Sequence, residues 1–259
     1  MINLSGAETP TTYNRVPKVT VDFWFIKLMA VTMGETAADY LAVNLGLGLT
    51  ATSLLMAAIL IGAMMLQFGQ KRYVPWSYWL AVVLVSIVGT LVTDNLVDNF
   101  GVSLVTTTIG FSLALIATFA LWYRSERTLS IHSIFTTKRE AYYWLAILFT
   151  FALGTAAGDL VAEHFALGYL ASGILFGLII ASLTFGYFFL KLDAILGFWL
   201  AYILTRPLGA SFGDLLSQPG EYGGMGFGTI ITSAMFLTAI VGIVAYMSVT
   251  HEGEELTAV

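Results

Sequence analysis

Cysteine is absent from all 259 residues, which excludes disulfides, thiolate metal sites and thiol redox chemistry within the chain. Charge is scarce too: 10% of residues are charged against 58% hydrophobic, and the mean hydropathy is +0.85. A soluble globule of this length needs much more polar surface, so lipid is the expected solvent. There are only three histidines, none inside an apolar run, and no His-Glu-x-x-His pattern occurs. Intramembrane catalysis therefore lacks its usual base, and an enzyme is not expected. No basic patch invites nucleic acid. The segment before Val19 has no apolar stretch leading to a small-residue cleavage site, so no removable signal peptide is expected. The net charge of −5 comes largely from acids inside or at the rim of apolar runs and from the tail residues Glu252, Glu254 and Glu255.

Against these absences stands repetition. Four segments superpose without a gap, each reading aromatic-Trp, nine residues, Gly, four residues, Asp. They run from Phe23-Trp24 through Gly34 to Asp39, from Tyr78-Trp79 through Gly89 to Asp94, from Tyr143-Trp144 through Gly154 to Asp159, and from Phe198-Trp199 through Gly209 to Asp214. The tryptophans lie 55, 65 and 55 residues apart, the pattern of a doubled pair. A hydroxyl recurs in the second half of each unit, at Thr52, Thr107, Ser172 and, after a five-residue insertion, Thr232. Small residues precede it at Gly46/Gly48, Gly101/Ser103, Ala166/Gly168 and Gly226/Gly228, read as sites of close helix approach.

A hydrocarbon core of about 30 Å takes roughly 20 apolar residues per helix. The runs predict an all-α membrane protein of eight transmembrane helices at 19–43, 48–68, 76–97, 103–123, 141–163, 167–190, 192–216 and 228–249. They group into an N-terminal segment (1–18), repeat 1 (19–70), repeat 2 (71–123), a basic loop (124–140), repeat 3 (141–190), repeat 4 (191–250) and an acidic tail (251–259). Lys and Arg outside the helices fall in the N-terminal segment and the loops after helices 2, 4 and 6, while the alternate loops have none. That asymmetry predicts cytoplasmic termini and parallel repeats related by an axis along the membrane normal.

Each helical residue turns by about 100°, so positions 7, 11 and 15 after each Trp share its face. Repeat 1 reads Trp24, Val31, Glu35, Asp39; repeat 2 reads Trp79, Ser86, Thr90, Asp94. Repeat 3 reads Trp144, Phe151, Thr155, Asp159; repeat 4 reads Trp199, Arg206, Ala210, Asp214. The tryptophans are expected to anchor at the membrane interface and the glycines to be helix contacts. Ionised carboxylates in lipid are costly unless paired or wet, and they mark pathways. Glu35, Asp39, Asp94, Asp159 and Asp214 are the candidate cation-, metal- or proton-binding residues, with Thr90 and Thr155 as oxygen partners one turn below. Lys27 and Arg206 are the intramembrane counter-charges, expected to pair with acids. Asn95, Asp98, Glu163 and His164, with Asn44 and Asn99, add polar groups to an acidic outer vestibule that would concentrate cations. Oxygen donors suit Mg, Ca or Mn, and suit protons equally. Met29, Met33 and a lone His164 read as core or interface residues and not as copper or haem ligands.

The same motifs, with Val16-Pro17-Lys18-Val19-Thr20, Gly34-Glu35, Gly89-Thr90, Gly154-Thr155 and Thr205-Arg206-Pro207-Leu208-Gly209, resemble bacterial membrane-anchored proteins described as four tandem copies of a two-helix repeat of unknown function. The resemblance covers nearly the whole chain. It implies a bacterial inner-membrane location but no substrate and no catalytic residue. The functional expectation is a transporter of a small cation, above all a hard divalent metal, with protons as counter-substrate. The alternative is a scaffold or sensor with structural carboxylates. No resident cofactor is expected beyond such a cation. The sequence leaves a homo-oligomer open. Glu35 in repeat 1 and Arg206-Pro207 in repeat 4 break the symmetry, so a site is expected between those two helices.

Overall fold

The computed structural model describes residues 13–257, with side chains as far as Thr250. Residues 1–12 of the N-terminal segment, and the side chains of the acidic tail residues Glu252, Glu254 and Glu255, lie outside the described set. The described residues form eight long helices and no strand: α1 (Val21–Asp39), α2 (Leu49–Phe68), α3 (Pro75–Asp94), α4 (Leu104–Glu126), α5 (Thr137–Asp159), α6 (Gly168–Phe189), α7 (Ala194–Ser217) and α8 (Thr229–Thr257). Local chemistry starts them where the sequence allows. Thr20, Ser103 and Thr136 cap α1, α4 and α5 by accepting a backbone N–H on their hydroxyls, Asp193 does so for α7 with its carboxylate, and Pro75 opens α3. Thr136 starts α5 four residues before the expected 141, and α8 continues past 249 into the expected tail.

The odd-numbered helices form a closed inner ring, α1 on α3, α3 on α5, α5 on α7 and α7 on α1. The even-numbered helices form an outer layer, and each packs on the inner helix of the next repeat: α2 on α3, α4 on α5, α6 on α7, and α8 back on α1. A repeat is thus a unit of sequence whose outer helix clasps its neighbour. The inner ring carries most of the buried residues, whereas Leu54, Ile61, Met65, Leu113, Ile116, Leu178, Phe188 and Ile231 on the outer helices are more than half exposed. Such an exterior is that of a membrane protein. Seven helices, α2 to α8, are long and apolar enough to cross a membrane. The remaining one, α1, carries Asp22, Lys27, Glu35 and Asp39 and belongs to the inner ring.

The repeat glycines make the ring close. A methyl group at Gly89 would lie 2.7 Å from Phe151 Cβ, and one at Gly209 would lie 2.5 Å from Val31 Cγ1. Gly34 meets Ser86 and Gly154 meets Arg206 in the same way. Every glycine therefore seats the residue seven positions after the Trp of the next repeat, round all four interfaces. The small residues near the second helices do something else. Gly46, Gly48, Gly101, Gly168, Gly226 and Gly228 have φ between 67° and 78°, and nothing approaches within 4 Å of a side chain added there. They turn the chain in the left-handed region instead of admitting a neighbouring helix, and Ala166 adopts the same region at φ 55°.

The repeats differ in how the inner helices end. After Asp39, Asp94 and Asp159 the helix widens into a five-residue π-helical turn, Tyr40–Asn44, Asn95–Asn99 and Leu160–His164. In repeat 4 there is no such turn. Its five extra residues fold back so that the amides of Met225, Gly226, Phe227 and Gly228 bond the carbonyls of Leu215, Gln218, Leu216 and Ser217. This loop is tied down as the cap of α7.

Three of the four repeat tryptophans also depart from expectation, while Trp24 is only partly buried. Trp79, Trp144 and Trp199 are at most 4% exposed, and their indole N–H groups bond Tyr73 Oη, Glu140 Oε1 and the Leu129 carbonyl. They are core residues of the bundle and do not form an interfacial belt.

Candidate functional site

At the seventh position after the Trp in α7, where the other repeats place Val31, Ser86 and Phe151, stands Arg206. Its side chain is fully buried, yet it reaches all three other inner helices. Nη2 donates to Glu35 Oε2 on α1 and to Thr155 Oγ1 on α5, each at 2.8 Å, and to the Thr90 hydroxyl on α3. Nη1 donates to the Val31 carbonyl at 3.1 Å and Nε to the Phe151 carbonyl at 3.4 Å. Thr90 also donates to Glu35 Oε2 at 3.2 Å. A guanidinium has five N–H donors in a fixed plane, and here that plane knits the ring together at one level. Pro207, next along the chain, faces Gly158, where an added methyl group would lie 3.5 Å from it, so the position that cannot donate a backbone hydrogen bond rests against a helix surface with no side chain.

One turn above, the carboxylates converge. Oxygens of Glu35, Asp159 and Asp214 lie within 4.8 Å of one another, brought from α1, α5 and α7. The site therefore includes the two helices that break the symmetry, and it adds α5. Asp94 lies within electrostatic range of Glu35 and Asp159 without joining the triad. Asp39 is held at 3.4 Å by Gln218 Nε2, from the end of α7. The four aspartates thus occupy one level of the ring but do not act alike.

Lys27 corrects the expectation that both cations pair with acids. It is fully buried, and among the described residues it makes no ion pair. Its ammonium donates to the Tyr202 carbonyl at 2.9 Å and to the Thr205 hydroxyl, and lies 4.0 Å from the centre of the Tyr202 ring. The neutralising role falls to Arg206 alone.

The auxiliary groups divide. Thr90 and Thr155 belong to the site through Arg206. Asn95 instead donates to Ser53 Oγ at 2.6 Å and to the Leu91 carbonyl, while Asn99 bonds Asn95, so both fasten the π turn to α2. Asn44 does the same towards α8 by accepting from Thr229. Asp98, Glu163 and His164 are exposed at the rim, His164 edge-on to Phe165. Of the recurring hydroxyls, Thr107 and Thr232 bond carbonyls one turn back, whereas Thr52 and Ser172 are buried without a partner.

Sequence reasoning missed Glu140. It is fully buried at the opposite, basic end, where Arg15 Nη1 at 2.8 Å, Gln67 Nε2 at 3.0 Å and the Trp144 indole all converge on it. The available signal was its place four residues before Trp144, on the inward face.

Segments 23–73, 77–128, 142–192 and 197–252 each match the family described as Repeat of Unknown Function (DUF347). The chain belongs to the DUF347 family. No curated protein and no solved structure matches it. In this DUF347 chain the four family segments are the four repeats of the ring, and each ends in the outer helix that clasps the next.

Proposed function

We propose that this chain spans the membrane eight times, with both termini cytoplasmic and in the bacterial inner membrane, and carries a small hard divalent cation across it. The observation that supports the reading is the triad of Glu35, Asp159 and Asp214 beside Arg206. Three carboxylates face a single guanidinium, so the cluster carries an excess of acid that a bound cation would answer. Carboxylate oxygens within 4.8 Å of one another also fit round a single ion with ligand distances of about 2.3–2.6 Å, as for calcium. Arg206, already bound to Glu35, acts as the resident cation that an incoming ion displaces from shared oxygens. Such competition ties occupancy to helix position, because Arg206 belongs to α7 and Glu35 to α1. Asp98 and Glu163 at the rim draw cations towards the triad.

The competing reading is a scaffold or sensor whose acids fix packing, and the bonds from Arg206 to all three other inner helices favour it. The two separate on Mn2+, Mg2+ and Ca2+ titrations of thermal stability, followed by Mn2+ flux into proteoliposomes. For the transporter, at least one of these ions raises the melting temperature, and Glu35→Gln with Asp159→Asn abolishes that rise and cuts flux at least tenfold. Unchanged flux in the double variant would falsify the transport reading.

A further inference from the structure

Below the triad the inner ring keeps a polar group at every turn down to the basic end. Relative to each Trp, position 11 holds Glu35, Thr90 and Thr155, and position 7 holds Ser86 and Arg206. Position 3 holds Lys27 and Tyr202, with Val82 and Ile147 as their apolar counterparts. Position −1 holds Tyr78 and Tyr143, with Phe23 and Phe198 as counterparts, and position −4 holds Glu140. These levels are about 6 Å apart along the helix axis. Thr20, Pro75 and Ile195 complete the lowest level.

Two features show that these groups are more than packing. First, repeats 1 and 4 fill the Tyr78 and Tyr143 positions with phenylalanine, so packing there does not need the hydroxyl. The two hydroxyls nevertheless bond each other at 2.5 Å in a fully buried setting. Secondly, one rung carries a buried polar atom with no hydrogen-bond partner, Ser86 Oγ, and Tyr202 Oη has only the Tyr143 hydroxyl beside it. Buried hydroxyls are normally satisfied, and unsatisfied ones call for an explanation such as a mobile partner. Tyr202 Oη is within electrostatic reach of Tyr143, and the Tyr202 ring lies under the Lys27 ammonium. Around the ladder, Phe23, Phe198, Trp79, Trp144 and Trp199 pack with ring centroids about 5–6 Å apart. Such a plug closes the ring to a hydrated metal ion in this conformation, but a proton passes along hydroxyls without needing a pore.

We propose that the basic half of the inner ring is a proton relay in which Lys27 is the carrier and Tyr202, Tyr143 and Tyr78 hand the proton on towards Glu140. The Lys27 ammonium, held over the Tyr202 ring, swings to the Tyr202 hydroxyl, gives up its proton there and is left as the amine. Each hydroxyl takes a proton on its oxygen as it releases its own, so no tyrosinate forms and only the transferred charge moves. On the other side the amine is recharged through Ser86 and Thr90 on α3, which bypass Arg206, a group that keeps its proton. Arg206 is the charged group that faces Lys27, from α7, with Phe151 of α5 between the two cations. This rests on the transport reading by making protons the counter-substrate.

The test uses full-length protein in liposomes containing a pH-sensitive dye. Proton uptake is driven in one arm by a valinomycin potassium potential and in the other by an opposing Mn2+ gradient. Wild type is expected to move protons in both arms. Tyr78→Phe with Tyr143→Phe, and separately Tyr202→Phe, should lower proton flux at least tenfold while melting temperature and Mn2+ binding stay as in wild type. Tyr123→Phe on the exposed face of α4 should change nothing. Flux within twofold of wild type in the phenylalanine variants, or no proton flux in wild type under the potential, overturns the relay. Proton flux under the potential without Mn2+ coupling leaves the relay standing and overturns the metal-transport reading instead.

Discussion

Arg206 and Lys27 occupy comparable burial, yet their surroundings give them opposite roles. Arg206 meets a carboxylate, two hydroxyls and two carbonyls, so its charge is fully answered, while Lys27 meets only dipoles and a ring face. Removing one partner of a buried pair strands the other charge, at a cost of about 3–5 kcal/mol. Glu35→Ala should therefore lower stability by about that much, whereas Glu35→Ala with Arg206→Met should recover a large part of it. Thermal unfolding of the two variants in one detergent measures this, and equal melting temperatures for Glu35→Ala and wild type would show that the guanidinium is not anchored by Glu35. The five acids and both cations were legible because each stands out in an apolar run, and the broken symmetry of Glu35 and Arg206 pointed to α1 and α7 although the two residues are 171 apart. That Asp159 of α5 joins them and that Lys27 meets no acid were not legible, because nothing in a single chain says how the inner helices are rotated against one another. Glu140 was hidden for a related reason, since it sits among the basic loop residues Lys138 and Arg139 and reads as a solvated charge.

Among elements, the helices divide into a ring that must approach closely and a layer that need not. Gly89 and Gly154 face Phe151 and Arg206, whereas Gly62 on α2 has nothing within 4 Å of an added methyl group. Overpacking a tight contact costs about 1–3 kcal/mol, while alanine in an open helical position gains up to about 1 kcal/mol. Gly89→Ala and Gly154→Ala should each lower the melting temperature, and Gly62→Ala should hold or raise it. A uniform response of all three would mean that the ring interfaces are looser than described. The eight helices, and the four repeat glycines as points of helix contact, could be read from the sequence because hydropathy, helix-start residues and repeat alignment agree, but the residues those glycines seat could not. The π-helical ends could not, because five residues of widened helix have the same composition as a loop. The Gly46/Gly48 class was misread for a similar reason. A glycine needed for left-handed backbone and a glycine needed for close packing look identical in a sequence.

At the scale of the molecule, interlocking decides how the repeats depend on one another. Because α2, α4, α6 and α8 each clasp the following inner helix, the two halves of the chain share two such clasps, α4 on α5 and α8 on α1. They also share the Arg206–Glu35 pair and the bonds of Asn14 and Arg15 to Ile131 and Ile134. A half made alone keeps its apolar outer helices but leaves an open ring with its charges unanswered. Helix α1 is the extreme case: Lys27, Glu35 and Asp39 would each cost about 2–3 kcal/mol or more at the centre of a bilayer, and only the closed ring answers them. Cutting the chain in the loop at Arg127 and Thr128, and producing the two halves together, should therefore yield a complex that copurifies and melts cooperatively. The C-terminal half produced alone should be degraded, and the N-terminal half alone should be degraded or leave α1 uninserted, as read by protease protection of the basic end. A half that is stable and fully inserted by itself would mean that the doubled pair still folds as two independent units, and that the ring is closed only after folding is complete.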